Sequence, residues 1–199
     1  MVSPDEVLAF WLDELEPTDW FRSDPAFDEQ IRQRFHSTWE AATEGALALW
    51  LTYPSGSLAY IILNDQLSRN MFRGDAQAFS TDELSLAAAK MAIERKWDMR
   101  IDPPARVFFY MPLVHSEYLS DQDRAVRLIC TRMPDQGGAF RDHARAHRSI
   151  IRDFGRFPYR NLALGRKTTL AEQAFLDGGG YGAVMRAQQA GEGSSAPVD

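Results

Sequence analysis

The stretch FRDHARAHRSIIRDF, residues 140–154, decides how the rest of the chain is read. Turned at about 100° per residue, Phe140, His143, Ala144, Ile150, Ile151 and Phe154 fall within about 60° of His147. Arg141, Arg145, Arg148 and Arg152 form a separate stripe about 100–160° away. No strand period gives that separation, so the segment predicts an amphipathic helix, bounded by Gly137-Gly138 before it and by Gly155 and Pro158 after it. Both histidines lie on the face to be buried, where an imidazole must find a hydrogen-bond partner.

Outward from this helix, start and stop signals of the same kind recur. Ser3-Pro4-Asp5-Glu6, Asp24-Pro25, Ser80-Thr81-Asp82-Glu83, Ser120-Asp121-Gln122-Asp123 and Thr169-Leu170-Ala171-Glu172 each read as a cap followed by a helix. Phe27, Ile31, Phe35, Thr38 and Ala42 repeat at helical spacing up to Gly45. A short helix is predicted over 46–51 and a longer one over 57–70, while Pro112 either kinks the 105–119 segment or starts a new helix. Strand signals are nearly absent. Helices of about 10–20 residues with short connectors predict an all-α fold of antiparallel helical hairpins. No strict 34-residue repeat is present. The expected organisation is one helical domain over 1–177 and a flexible tail over 178–199, rich in Gly, Ala, Ser and Gln.

The 199 residues are 45% hydrophobic and 25% charged, enough for a core without disulfide or metal support. Cys130 is the only cysteine, which favours a reducing compartment, and MVSPDEVLAFW lacks the basic start and apolar length of a signal peptide. The longest apolar run, Val107–Val114, is far short of the roughly 20 residues that span a bilayer. The expectation is a cytoplasmic protein with no membrane contact. A net charge of −6 argues against nucleic acid. Eight Lys/Arg against two acids between Arg141 and Lys167 nonetheless give that segment about +6, which suits a small anion better than a polyanion.

Three polar clusters carry the candidate chemistry. In the first, Asp65 and Arg69 are four residues apart, as are Gln66 and Asn70, with Arg73 beyond. This is either an exposed helix end or the polar rim of a cleft. In the second, His115 and Glu117 would point about 200° apart on a regular helix, so His115 is preferred as the pocket residue. The third joins His147 to FGRFPYRNLALGR, where aromatics and a proline hold Arg156, Arg160 and Arg166 for bidentate recognition of carboxylate or phosphate. His147 reads either as a satisfied core histidine or as an acid/base group. His143 and His147 have zinc-like spacing, but no Glu lies between them and no third ligand is evident. No metal or cofactor is expected, and no phosphate loop, serine elbow or CxxC pair is present.

The strings LAYIILNDQLSRNMFRG, YMPLVHSEYLSDQ and HRSIIRDFGRFPYRNLALGRKTT, with Phe10-Trp11 and Trp20-Phe21, resemble the bacterial family called domain of unknown function 924, in order from about residue 7 to 176. The resemblance implies a tetratricopeptide-like, right-handed helical array and leaves activity open. By the same likeness the motif positions are Asp65, Gln66, Arg69, Asn70, Arg73, His115, Ser116, Glu117, His147, Arg148, Gly155, Arg156, Pro158, Arg160, Asn161, Gly165 and Arg166. His143 is not among them. Leu67-Ser68 stands where the family usually has Phe-Pro, Asn64 replaces an apolar residue, and Tyr159 sits where a histidine is typical.

The leading expectation is an inter-helix pocket for a small anionic ligand. Arg69, Asn70, Arg73, Glu117, Arg156, Arg160, Asn161 and Arg166 would bind it, and His147, His115 and Asp65 would supply any acid/base step. The alternative is a helical interaction module for a protein or peptide partner, with the same polar motifs as buried structural networks. A homodimer through exposed Trp or Phe is also compatible with the composition.

Overall fold

A computed structural model describes residues 1–192, and the start signals read from the sequence can be followed to their hydrogen bonds. Helix α1 (Pro4–Leu8) opens on a capping box: the Ser3 hydroxyl accepts from the Glu6 amide at 3.3 Å and the Glu6 carboxylate accepts from the Ser3 amide at 2.7 Å. Asp24 caps α2 (Pro25–Thr43) through the amides of Ala26 and Phe27. Helix α3 (Pro54–Ile61) runs through a π-helical stretch, Ile62–Leu67, into α4 (Ser68–Met71). Then come α5 (Asp82–Glu94), α6 (Met111–His115), α7 (Leu119–Arg132), α8 (Gly138–Phe154), α9 (Leu170–Asp177) and α10 (Gly180–Glu192). No strand occurs among the described residues. None of their helices is long and apolar enough to cross a membrane.

Two start signals resolve differently. Ser120 does not cap α7, which begins one residue earlier, and Asp121 accepts a hydrogen bond from the Ser116 hydroxyl instead. Thr81 precedes α5, but its hydroxyl donates to the Asn64 carbonyl at 2.7 Å rather than capping the helix. The short helix expected over 46–51 is a 3₁₀ segment, Ala48–Thr52. Within the stretch expected as a flexible tail, Gly180–Glu192 is helical and packs on α8; residues 193–199 lie outside the described residues.

The chain divides into two compact units, Met1–Pro112 and Leu113–Asp199, where the sequence reading expects one domain over 1–177. In the first, α3 packs on α1 and α5, and α2 on α4. Its core is aromatic: Phe10 lies 4.9 Å from Phe35, and Phe108 makes T-shaped contacts with Trp11 and Trp20 at 5.9 and 4.9 Å. The Trp20 indole donates to the Trp11 carbonyl at 2.8 Å, which satisfies the polar end of a buried ring. In the second unit α7 and α8 pack on each other, joined by residues 133–137, and α10 lies on α8. Ile150, Ile151 and Phe157 form a buried cluster there, flanked by Phe154, Phe175, Tyr181 and Val184. Cys130, on α7, is exposed.

Truncating the shared ring of the first unit tests this packing. Phe108→Ala should cost ~3–5 kcal/mol, read as a lower denaturation midpoint, because the hole lies between two indoles that cannot collapse into it.

Candidate functional site

The polar motifs of the first unit sit where the helix widens. The segment is buried on every side from Gly56 to Ser68, so Asn64, Asp65 and Gln66 in the π-helical stretch are all enclosed. Burial of that many polar groups requires partners. The Asp65 carboxylate accepts from the Gln66 amide at 2.5 Å and from Arg69 Nη2 at 3.3 Å. Arg69 also reaches Asp82 at 2.8 Å and lies over the Phe79 ring at 5.1 Å. One turn on, Arg73 grips Asp28 at 2.6 and 2.9 Å while Asn70 donates to the same carboxylate at 2.8 Å. Burial alone would raise the Asp28 carboxyl, but Arg73 and Asn70 outweigh it and the net displacement is downward. Both guanidiniums expected to hold an anion are thus bonded to protein carboxylates.

The second unit repeats the arrangement around Glu117. The Gln122 side chain donates to the carbonyls of Val114 and Ser116 at 2.6 and 2.7 Å, fixing the segment that carries His115 and Glu117. Glu117 lies beyond the last turn of α6, so it does not share a helix face with His115. Its carboxylate accepts from the Phe157 amide at 2.8 Å and from both terminal nitrogens of Arg166 at 2.7 and 3.1 Å. Arg166 donates further to the Phe157 carbonyl at 3.0 Å and to Asn161 Oδ1 at 3.0 Å. For Glu117, burial raises the carboxyl, and the Arg166 guanidinium and Phe157 amide overcome it, leaving it below its ordinary range. Arg156 pairs with Glu172 at 2.5 and 2.8 Å and with the Lys167 carbonyl at 2.9 Å. That pairing, with the Thr169 amide, holds the Glu172 carboxyl well below the usual carboxylate range. Arg156, Arg166 and Asn161 therefore shape the loop from inside.

His147 lies at the centre of an aromatic enclosure. Its ring centroid is 4.9 Å from Tyr181, 5.3 Å from Phe157 and 6.0 Å from His115. The Arg160 guanidinium lies on the Phe157 ring at 4.4 Å and is buried. Nδ1 of His147 is 2.8 Å from the His143 carbonyl. A carbonyl only accepts, so Nδ1 carries the proton and Nε2 presents a lone pair. Burial foremost, then the neighbouring His115, pushes this imidazole down to about 3. It is neutral across the physiological range. Burial also lowers His143, whose Nδ1 is hydrogen-bonded to the Tyr181 hydroxyl. Burial raises the Tyr181 phenol, which keeps its proton. Tyr159 stacks on Phe157 at 5.3 Å, at the exposed margin.

Of the residues expected to share one pocket, His147, His115 and Arg160 gather about one ring cluster in the second unit. Asp65, Arg69, Asn70 and Arg73 form an ion-pair network within the first. Tyr181 was missed because its segment reads as tail, and Gln122 because nothing in its sequence neighbourhood marks it as a brace for a remote loop. Among the described residues no group of three or more His, Cys, Asp and Glu is gathered to hold a metal ion.

An all-helical frame braced by arginine–carboxylate pairs, with a neutral histidine among aromatic rings in its second unit, is the class these features define. The profile of the family described as "Bacterial protein of unknown function (DUF924)" matches residues 7–180, and the chain belongs to that family. Among solved structures it is similar to a protein of unknown function from Agrobacterium tumefaciens: 39% identity, TM-score 0.81, covering 87% of this chain and 96% of that one. No curated protein matches the chain.

Two outcomes follow from the charges. The lowered pKa makes folded His147 bind fewer protons than the unfolded chain, so stability should fall as pH drops below about 6.5, by up to about 1.4 kcal/mol per unit. His147→Gln should flatten this part of a denaturation-versus-pH curve. Glu117 acts at more acid pH: its depressed carboxyl contributes stability above the unfolded value, lost as pH falls through the folded one. Glu117→Gln should cost ~1–3 kcal/mol at pH 7 and less at pH 4, measured by urea unfolding.

Proposed function

We propose that the second unit binds a small carboxylate- or phosphate-bearing ligand against His147, with His115 and Arg160 beside it and Tyr159 at the margin. The observation that carries this is the Arg160 cation beside the neutral His147: the guanidinium would meet the ligand's anionic group, and Nε2 would accept from a hydroxyl or N–H on the same ligand, since its lone pair repels the anion itself. Nδ1 of His147 donates to a backbone carbonyl, which fixes the tautomer of a ring that burial keeps neutral, and its Nε2 is an acceptor held among aromatic rings. Arg160 adds a cation to the same cluster; its field contributes to keeping His147 neutral. An imidazole with so little proton affinity is a hydrogen-bond acceptor before it is a general base, so the reading is one of binding. Turnover with His147 or His115 as acid/base is its extension, to be sought once a ligand is found. The arginines expected to clamp the anion keep a supporting role: Arg156 and Arg166 fix the loop, and Arg69 and Arg73, with Asp65 and Asp28, fix the first unit.

The second reading is a helical interaction module of tetratricopeptide-like hairpins for a protein or peptide. The packed pair α7 and α8 with its short connector supports the hairpin part. Leu162, in the loop before α9, and Leu170, which opens α9, are 96% and 91% exposed and favour the module part, since leucines so open offer anchors to a partner.

A thermal-shift screen against inorganic phosphate and phosphorylated or carboxylated metabolites separates the two. The binding reading expects a stabilising ligand whose shift is abolished by His147→Gln and reduced by Arg160→Gln. A screen without a hit, or a shift that survives both substitutions, overturns it. The module reading expects partner capture that survives His147→Gln and is lost on Leu162→Asp.

A further inference from the structure

Tyr181 is the one aromatic group of the His147 enclosure supplied from beyond the family match, which closes at residue 180. Its hydroxyl bonds to His143 Nδ1, its ring stacks on His143 at 6.0 Å and tilts against His147 at 4.9 Å, and Tyr159 meets its far side at 6.4 Å. The helix bearing it is weakly built. Gly182 lies inside its 13 residues, at a cost of about 1 kcal/mol relative to alanine, and a helix this short is marginal without packing. Against the Ile150–Ile151–Phe157 cluster it lays Tyr181 and Val184. Its entry is glycine throughout, Gly178-Gly179-Gly180, with φ of +96° at Gly179 and +51° at Gly180, where L side chains are strained.

We propose that α10 is a hinged cap over the two imidazoles of α8, turning on Gly178–Gly180, with Tyr181 as the latch that seals them. The proposal rests on the binding reading above for its purpose: a ligand approaching His147 meets Tyr181 first, so this side chain sets which ligands enter. The physical ground is that a short terminal helix laid on one face of α8 and joined through a glycine hinge opens at lower free energy than α8 itself, which α7 also packs. Members of the family that end where the match ends would lack this wall.

Amide exchange on the full chain, followed by mass spectrometry without any ligand, tests the motion. Amides of α10 should exchange ~100-fold or more faster than those of α8 around His147. Carbethoxylation of the histidines, with His36 as internal reference, tests the latch. Tyr181→Ala should raise the His143 and His147 rates by ~10-fold while α8 amides stay protected. Tyr181→Phe, which keeps the ring and removes the hydroxyl, should raise His143 and leave His147 slow. Equal protection of α10 and α8, unchanged histidine rates in Tyr181→Ala, or loss of α8 protection in that variant would each overturn the cap, the last by making Tyr181 a core residue. Because no ligand is used, this failure is distinct from an empty ligand screen, which would leave the cap standing.

Discussion

The carboxylate of Glu117 is the constraint on which the second unit's site depends. It binds a backbone amide and a guanidinium at once, and that guanidinium returns to the carbonyl of the same residue, Phe157. Three pieces of chain far apart in sequence are thereby fixed to one another: the turn after α6, the Phe157 backbone and the loop at Arg166. Phe157 then gives Arg160 a ring to lie on and gives His147 a wall. A buried charge is costly unless each of its lone pairs or protons is met, and Glu117 and Arg166 meet each other's needs almost completely. The local geometry around His147 follows from that closure.

The same rule governs the first unit by a different route. Here a helix enclosed on every side carries three successive polar residues, Asn64, Asp65 and Gln66, through its π-helical stretch. Asp65 and Asp28 each take an arginine from the following turns. Arginine suits this work because its planar fork can satisfy two acceptors and still lie on an aromatic face, as Arg69 does over Phe79. Motif arginines in this family member are therefore read first as fasteners between protein segments. The remaining chemistry narrows to the imidazoles, Arg160 and their aromatic surround.

Local structure was largely legible in the sequence, because the signals that set it are local. The capping boxes at Ser3 and Thr169, the Asp24 cap and the span of α8 ending at Gly155 all lie where the residues indicate. His147 was legible too, as a histidine on an apolar stripe. What the sequence withheld were the partners. Arg73 and Asp28 are 45 positions apart and Glu117 and Arg166 are 49 apart, so no spacing rule could pair them. Ser120 reads as a cap until the nearby Ser116 is seen holding Asp121. Tyr181 sits among glycines and alanines that spell a tail, and only the apolar cluster of Ile150, Ile151 and Phe157 gives that helix something to lie on.

All five tryptophans, at positions 11, 20, 39, 50 and 97, fall in the first unit, while the sole thiol, the exposed Cys130, belongs to the second. The molecule thus comes with two spectroscopic reporters that need no engineering. Indole emission follows the aromatic core around Phe108, and a single maleimide dye on α7 follows the histidine-bearing half. Superimposable unfolding curves from the two colours would mark the halves as one cooperative body; separated curves would give each half its own stability.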